Sequence, residues 1–285
     1  MLFFLAACDK SNKDTPDNLY PVKFEVDNIQ KTTAEMGTSG VITSSTADTA
    51  LNKLGVLNYI VFDEAGKYVH QIQQLSTDVN FGVFSDQLKV GRYTVVLIGS
   101  TGEIMLPGTP ITLSVTKLRA LGGSGDIFFK KSDVTVSSTG LSQNFLLKRI
   151  VGYLELKSTS PIPSNVAKIS LSVVNETTSF AFATESVDLT AIEKMTVNKD
   201  VTAINRSNYS IGKYIMNDQQ PLSVQVMTFD VAGSLLKSKT VTVKIERNEK
   251  ATMSANMTDL MSAGIGFTLD YAWKVDSTSI PFQLY

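Results

Sequence analysis

Ala167-Lys168-Ile169-Ser170-Leu171-Ser172-Val173 sets Ala167, Ile169, Leu171 and Val173 in strict alternation with Lys168, Ser170 and Ser172. A repeat of two places the apolar set on one face of an extended strand and the polar set on the other. One face is therefore buried and the other wet. The same pattern recurs downstream in Leu222, Val224 and Val226, then in Val241, Val243 and Ile245 against Thr242, Lys244 and Glu246, and in Phe267, Leu269, Tyr271 and Trp273. Short strands at this spacing, without intervening helices, point to sandwiches and away from a parallel α/β sheet or a nucleotide-binding Rossmann unit.

Upstream, Leu54 to Phe62 (LGVLNYIVF) is apolar on both faces, as in a strand inside a sandwich. Asp63-Glu64-Ala65-Gly66 turns the chain into Lys67 to Gln74, where Tyr68, His70, Ile72 and Gln74 share a face, which reads as a hairpin. Gly91 to Ile98 follows as another buried strand. Phe62-Asp63-Glu64-Ala65-Gly66 is echoed by Phe229-Asp230-Val231-Ala232-Gly233. In that form Asp caps its own turn and Gly supplies a positive φ, so convergent turn chemistry explains the echo as well as duplication does. Val187 to Met195 allows a short helix with Leu189 and Ile192 inward, but its β-branched neighbours weaken that reading, and it is taken as a connection. The Gly- and Ser-rich stretch Leu121 to Thr139 offers few core residues, and strands resume at Ile150. A boundary is therefore expected near Phe145 to Arg149, with an N-terminal β-sandwich over 22–147 and a C-terminal one over 148–285.

Hydrophobic residues make up 43% of the 285 and charged residues 19%, a globular balance with material for two cores. The formal net charge is -1, with no long run of either sign, so the electrostatic footprint of a nucleic-acid binder is missing. One cysteine, Cys8, and one histidine, His70, exclude a disulfide and a clustered Cys/His zinc site. No apolar run approaches the roughly 20 residues of a membrane-spanning helix.

Met1 to Ala7 is apolar, ends in small residues and gives way at Cys8 to polar sequence, in the manner of the end of a secretion signal. Leu5-Ala6-Ala7-Cys8 resembles the lipobox of bacterial lipoproteins, which implies lipidation at Cys8 and a mature chain that starts there. Residues 1–7 then read as a partial signal peptide and 8–21 as a flexible tether, with Asp9 to Asn18 too polar to bury. The aspartates of that tether lack the Gly and terminal Glu of a calcium loop.

Catalytic signals are thin. His70 has no acid or nucleophile nearby in sequence and reads as a satisfied surface histidine. No serine sits in a G-x-S-x-G elbow, and Gly122-Gly123-Ser124-Gly125 does not lead into Lys-Ser or Lys-Thr, so it is a turn and not a phosphate loop. Tyr59, Tyr93, Tyr153, Tyr271 and Trp273 could stack on sugar rings, though strand aromatics more often serve cores and cross-strand pairs. No cofactor is implied, and the protein reads as a non-enzyme.

Three phrases resemble the anchoring and accessory subunits of Bacteroidetes fimbriae, the minor-fimbria anchor group related to the fimbrillins. Phe145 to Leu156 is similar to that family's crossing into a second domain, and Ser160 to Val166 to the proline-marked turn after it. Val241 to Asn248 with Phe267 to Trp273 is similar to its closing strands. The resemblance implies two tandem transthyretin-like Greek-key β-sandwiches, lipid-anchored in the outer membrane and facing the cell surface, with other fimbrial subunits as partners. It also implies assembly by β-strand addition, in which main-chain hydrogen bonds supply affinity and alternate side chains fill pockets. Polymerising members are opened by cleavage after a basic residue. Lys53, Lys89 and Arg92 are candidates, with ordinary surface charge as the simpler account. The alternative function is a surface glycan-binding lipoprotein of a polysaccharide-uptake system.

Overall fold

A computed structural model describes residues 18–29, 31–32, 51, 53–107, 111–121, 125–257, 268–271 and 275–276. Its elements are strands. The first half holds β1 (Leu19–Ile29), β2 (Lys31–Thr32), β3 (Val56–Asp63), β4 (Tyr68–Leu75), β5 (Val83–Lys89), β6 (Gly91–Ser100), β7 (Ile104–Met105), β8 (Lys117–Ala120), β9 (Ile127–Val136) and β10 (Leu141–Arg149). The second holds β11 (Gly152–Ser158), β12 (Lys168–Thr177), β13 (Ser179–Ala181), β14 (Ser186–Val187), β15 (Ile192–Asp200), β16 (Ser210–Ile215), β17 (Leu222–Phe229), β18 (Leu235–Val243), β19 (Lys250–Ala255), β20 (Thr268–Tyr271) and β21 (Val275–Asp276). The all-β class expected from period-two spacing is what the chain adopts.

In the first half, seven strands run β4-β3-β6-β9-β10-β1-β5. Strands β9 and β10 pair only through Phe128–Arg149 and Phe129–Lys148. The sheet doubles back at that corner, so β4-β3-β6-β9 faces β10-β1-β5 across a core that includes Phe24, Leu57, Tyr59, Phe84, Leu97, Phe128 and Phe145. The second half stacks β16-β11-β19-β20 on β15-β12-β17-β18 over Leu154, Leu156, Ile169, Leu171, Val224 and Met253. When the seven longer strands of each half are counted in order, both halves place the fourth, first and seventh in one layer. The third, second, fifth and sixth form the other layer. The first strand runs parallel to the seventh in each case, β1 with β10 and β11 with β19.

A fourth sheet, β14-β13-β8-β7, takes strands from both halves, with β8 antiparallel to β13. Leu118, Ala120 and Phe180 from this sheet, with Phe182 from the turn after β13, cover the outer face of β3-β6-β9, meeting Ile60, Phe62, Val96, Ile98, Ile127 and Phe129. Strand β3 is therefore buried on both faces, as its apolar run, interrupted only by Asn58, requires. Charges border this contact: Lys117 Nζ lies 2.6 Å from Asp188, Lys131 Nζ lies 3.3 Å from Glu185, and Arg119 pairs with Glu193.

At the crossing itself Arg149 is buried. Its Nε and Nη2 each donate to one oxygen of Asp126 at 2.7 Å, and Nη1 donates to Asn248 Oδ1 at 2.6 Å. Its guanidinium lies 5.0 Å from the centre of the Phe128 ring. Two forked bonds and a third donor used across the joint give a buried cation the compensation it needs.

Two expectations are corrected. Val187 to Met195 is no helix: Val187 ends β14, Ile192 to Met195 open β15, and Ile192 is exposed rather than inward. Leu189 does pack inward, on the shared core. Strand pairing with β12 settles this stretch, because Ile192 pairs with Thr177 and Met195 with Val173. The stretch Leu121 to Thr139 is not poor in core residues. It contains β9, whose Ile127, Phe128, Phe129, Val134 and Val136 are all buried. Its glycines and serines cluster at the two ends and mask the strand between them. Strand β1 begins at Leu19, inside the stretch read as tether.

Candidate assembly interface

Strand β1 occupies a slot between β10 and β5. Val22 to Val26 pair with Leu141 to Phe145 on one side, and Leu19 to Glu25 pair with Lys89 to Val83 on the other. Alternation sends Val22, Phe24 and Val26 into the core, all at most 3% exposed. The Phe24 ring lies 5.4 Å from Tyr59 and 5.7 Å from Phe145. Each such side chain contributes about 1.5–3 kcal/mol when fully buried. The slot is thus apolar inside and lined with main-chain donors and acceptors along both margins. Outside it, Pro21, Lys23, Ser85, Gln87, Gly140 and Ser142 edge an open concavity of about 570 Å³. At Gly140, whose φ is +82°, a Cβ would sit 2.2 Å from the Pro21 carbonyl oxygen, so the β9–β10 turn can lie against β1 only without a side chain.

Strands β4 and β5 are the two outermost strands of the folded sheet, and side chains close the gap between them. His70 Nε2 is 2.8 Å from Asp86 Oδ2, the same oxygen that accepts the Tyr59 hydroxyl proton at 3.0 Å. Gln74 donates to the Val83 carbonyl at 2.8 Å and accepts from the Gly82 N–H at 2.9 Å. Burial pushes the Asp86 carboxyl up, but hydrogen bonds from His70, the Gln87 N–H and Tyr59, with the charge of His70, hold it below the usual carboxylate range. Burial first, and Asp86 second, push the Tyr59 hydroxyl well above its ordinary value. It stays protonated and bonded to the carboxylate, which suits a clasp and not a nucleophile.

His70 thus does have an acid partner, supplied by β5 and too far along the chain to be read locally. Tyr59 is fully buried. Tyr93 donates to the Lys89 carbonyl at 3.1 Å, and Tyr153 meets Tyr214 edge-on at 5.0 Å. Tyr59 therefore offers no ring face to a sugar, while Tyr93 and Tyr153 are half-buried and engaged in these contacts. Tyr271 closes β20. Cys8, Trp273 and Gly122 to Ser124 lie outside the described residues. Lys53 precedes β3, Lys89 ends β5, and Arg92, near the start of β6, stands 3.9 Å from Glu64 with both side chains exposed. Among the described residues no group of His, Cys, Asp and Glu has the geometry of a metal site. Sequence reasoning did not single out Asp86 or the buried Glu176. The Glu176 Oε1 accepts N–H groups of Thr177, Met216 and Asn217, tying β12 to the β16–β17 connection. Burial pushes its carboxyl up against those bonds and the charge of Lys213. Neither carboxylate lies in a recognisable motif.

The family model of fimbrillin-A associated anchor proteins Mfa1 and Mfa2 matches residues 14–277. The chain belongs to this family. It is a family of fimbrial anchor proteins, which makes this chain a structural fimbrial subunit of the cell envelope. No significant match was found among curated proteins. Among solved structures, a candidate polysaccharide-binding protein from Bacteroides thetaiotaomicron aligns with a TM-score of 0.55 at 13% identity, over 84% of this chain and 92% of its own. A candidate adhesin from Bacteroides ovatus aligns with a TM-score of 0.54 at 10% identity, over 85% and 88%. The fimbrial anchor protein Mfa2 from Porphyromonas gingivalis aligns at 0.49 and 12% identity, over 91% and 98%. Likeness at such identity is likeness of fold.

Proposed function

We propose that the chain is a lipid-anchored subunit of the cell surface, an anchor or accessory adhesin of a fimbria, held in the outer membrane through Cys8 and joined to its neighbours by β-strand addition. The observation that carries this reading is the placement of β1 in a family of fimbrial anchors. The first strand of the fold fills a slot whose apolar interior takes Val22, Phe24 and Val26 and whose margins are two main-chain ladders. A segment entering or leaving such a slot exchanges equivalent contacts, which is the physical requirement of strand addition. Residues 22–147 and 148–285 are read as two transthyretin-like Greek-key sandwiches, a division supported by the shared strand order of the two halves. With β1 in place the slot is filled by the chain itself, so an anchor needs no cleavage after Lys53, Lys89 or Arg92.

Two experiments test the reading. Cys8→Ser is expected to release the protein from the membrane fraction, and unchanged sedimentation with membranes overturns lipidation at this residue. A strain lacking the chain is expected to shed or mislocalise its fimbriae. Fimbriae of normal length and attachment in that strain would remove the anchor role.

A further inference from the structure

The end of the first half at which the chain enters carries apolar side chains that no core uses. Leu19 opens β1 opposite Lys89, and Val90 follows at the tip of the β5–β6 turn. Ile111 lies on the loop that borders the Asp63–Gly66 turn, its carbonyl accepting the Tyr68 N–H at 3.1 Å. Strand register puts all of these at one end, since Asp63 pairs with Tyr93 and Gly91 with Val136. Leu19 is 52% exposed, Val90 57% and Ile111 72%. Lys67, Lys89 and Arg92 are interspersed with them, alongside Asp63 and Glu64. Apolar tips set among cations suit an anionic lipid interface, where the tips enter the headgroup layer and the cations stay level with the phosphates.

The chain outside the described residues gives the reason to choose a membrane as occupant. Leu19 stands eleven positions after Cys8 (19 − 8 = 11), a span of at most about 40 Å when fully extended. Ile204 and Val231 are also fully exposed, but they cap the strand ends of the second half, beyond Asp200 and Phe229 and away from the joint at Arg149. A lipid on Cys8 would therefore keep the Leu19 end, rather than the Ile204 end, within about 40 Å of the bilayer.

We propose that the Leu19, Val90 and Ile111 end of the first half rests directly on an anionic lipid surface and so stands the second half away from the membrane. The inference rests on the lipidation reading of Cys8 and adds an orientation to it.

The test joins the full chain, through its one thiol, to a maleimide-bearing lipid in vesicles of phosphatidylcholine and phosphatidylglycerol, and follows amide hydrogen exchange. Amides of Lys89 to Arg92 and Ile111 to Leu113 are expected to exchange roughly tenfold more slowly on vesicles than in solution, with Thr202 to Asn205 and Asp230 to Gly233 unchanged. The pair Val90→Glu and Ile111→Glu is expected to abolish the slowing while protection of the β3 and β6 amides shows the fold intact. Three outcomes overturn the proposal: no slowing at either end, slowing at the Ile204 and Val231 end instead, or slowing that tracks protein concentration without vesicles. Because the linkage is made chemically, these outcomes do not depend on whether cells acylate Cys8. The Cys8→Ser fractionation tests that reading separately.

Discussion

β3 and β12 hold the same place in their halves, second in order and flanked by the third and fifth strands, yet their surroundings differ. Both faces of β3 are buried, one on Leu57, Tyr59 and Val61 in the first core and the other on Ile60 and Phe62 beneath the shared sheet. β12 buries Ile169, Leu171 and Val173 in the second core, and on its other face Ser170 and Ser172, expected from the alternation to be wet, are 3% and 0% exposed and bonded to β15, Ser172 to Thr196 at 2.7 Å and Ser170 to Asn198. The same strand order therefore supports an inner and an outer layer. What separates them is what meets the second face, an apolar cluster over β3 and hydrogen-bonded polar side chains over β12, and the composition of each strand records which case applies.

The largest expected effect tests that covering. Phe129→Ala removes a ring that lies 5.0 Å from Phe180 and 5.6 Å from Phe182 and should cost about 4 kcal/mol in urea denaturation. Gln225→Ala, on the polar face of the second half, should stay within about 0.5 kcal/mol. Equal costs would mean that the outer face of β3-β6-β9 is no core.

Next comes the joint. Arg149→Ala leaves Asp126 buried without its counter-charge and should cost about 3 kcal/mol. Adding Asp126→Ala should recover part of that loss, and strict additivity of the two costs would deny that they form a unit.

The seams between third and fourth strands give a subtler contrast. The first half closes its seam through His70 and Asp86, whereas the second uses Lys199 Nζ to the Ser210 carbonyl at 2.7 Å and the Tyr209 hydroxyl to the Lys199 carbonyl at 2.8 Å. Because the folded Asp86 carboxyl is held below its ordinary value, its contribution is fully present above the unfolded pKa and is lost as pH falls through the lower folded one. Asp86→Asn should flatten this acid limb of the stability curve, and an unchanged limb would assign it to other carboxylates. Tyr59→Phe should cost about 1 kcal/mol through the lost bond to Asp86.

The smallest comparison lies in the two F-D-x-A-G turns. Asp63 accepts the Ala65 and Lys67 N–H groups and Asp230 accepts that of Ser234, while Gly66 and Gly233 have φ of +72° and +82°. Each Gly→Ala change should cost about 1 kcal/mol, since both need the left-handed region. A markedly larger loss at Gly66 would point to its neighbour Leu113, 3.7 Å from the site of an added Cβ, because Gly233 faces open space.

These turns show what is legible locally. Both form as their five residues require, yet one links the second and third strands of its half and the other the fifth and sixth, so the echo marks turn chemistry and not equivalent positions. The repeat of strand order between the halves has no comparable phrase in the sequence. β9 escaped notice because its glycine and serine flanks diluted a strand that is itself strongly apolar. The clasp of His70, Asp86 and Tyr59 escaped because its members come from three strands, and the pairing of Asp126 with Arg149 because its residues lie 23 positions apart.

The sequence by itself determined the β class, the inward face of each alternating strand, the turn residues and the family resemblance, because all of these depend on side-chain period and local backbone preference. Only the tertiary structure decided that the two halves share a sheet, that the second face of β3 is covered, and that β1 fills a slot between β10 and β5. Those features depend on contacts between residues far apart in the chain, and a period-two pattern carries no record of which strand will lie beside which.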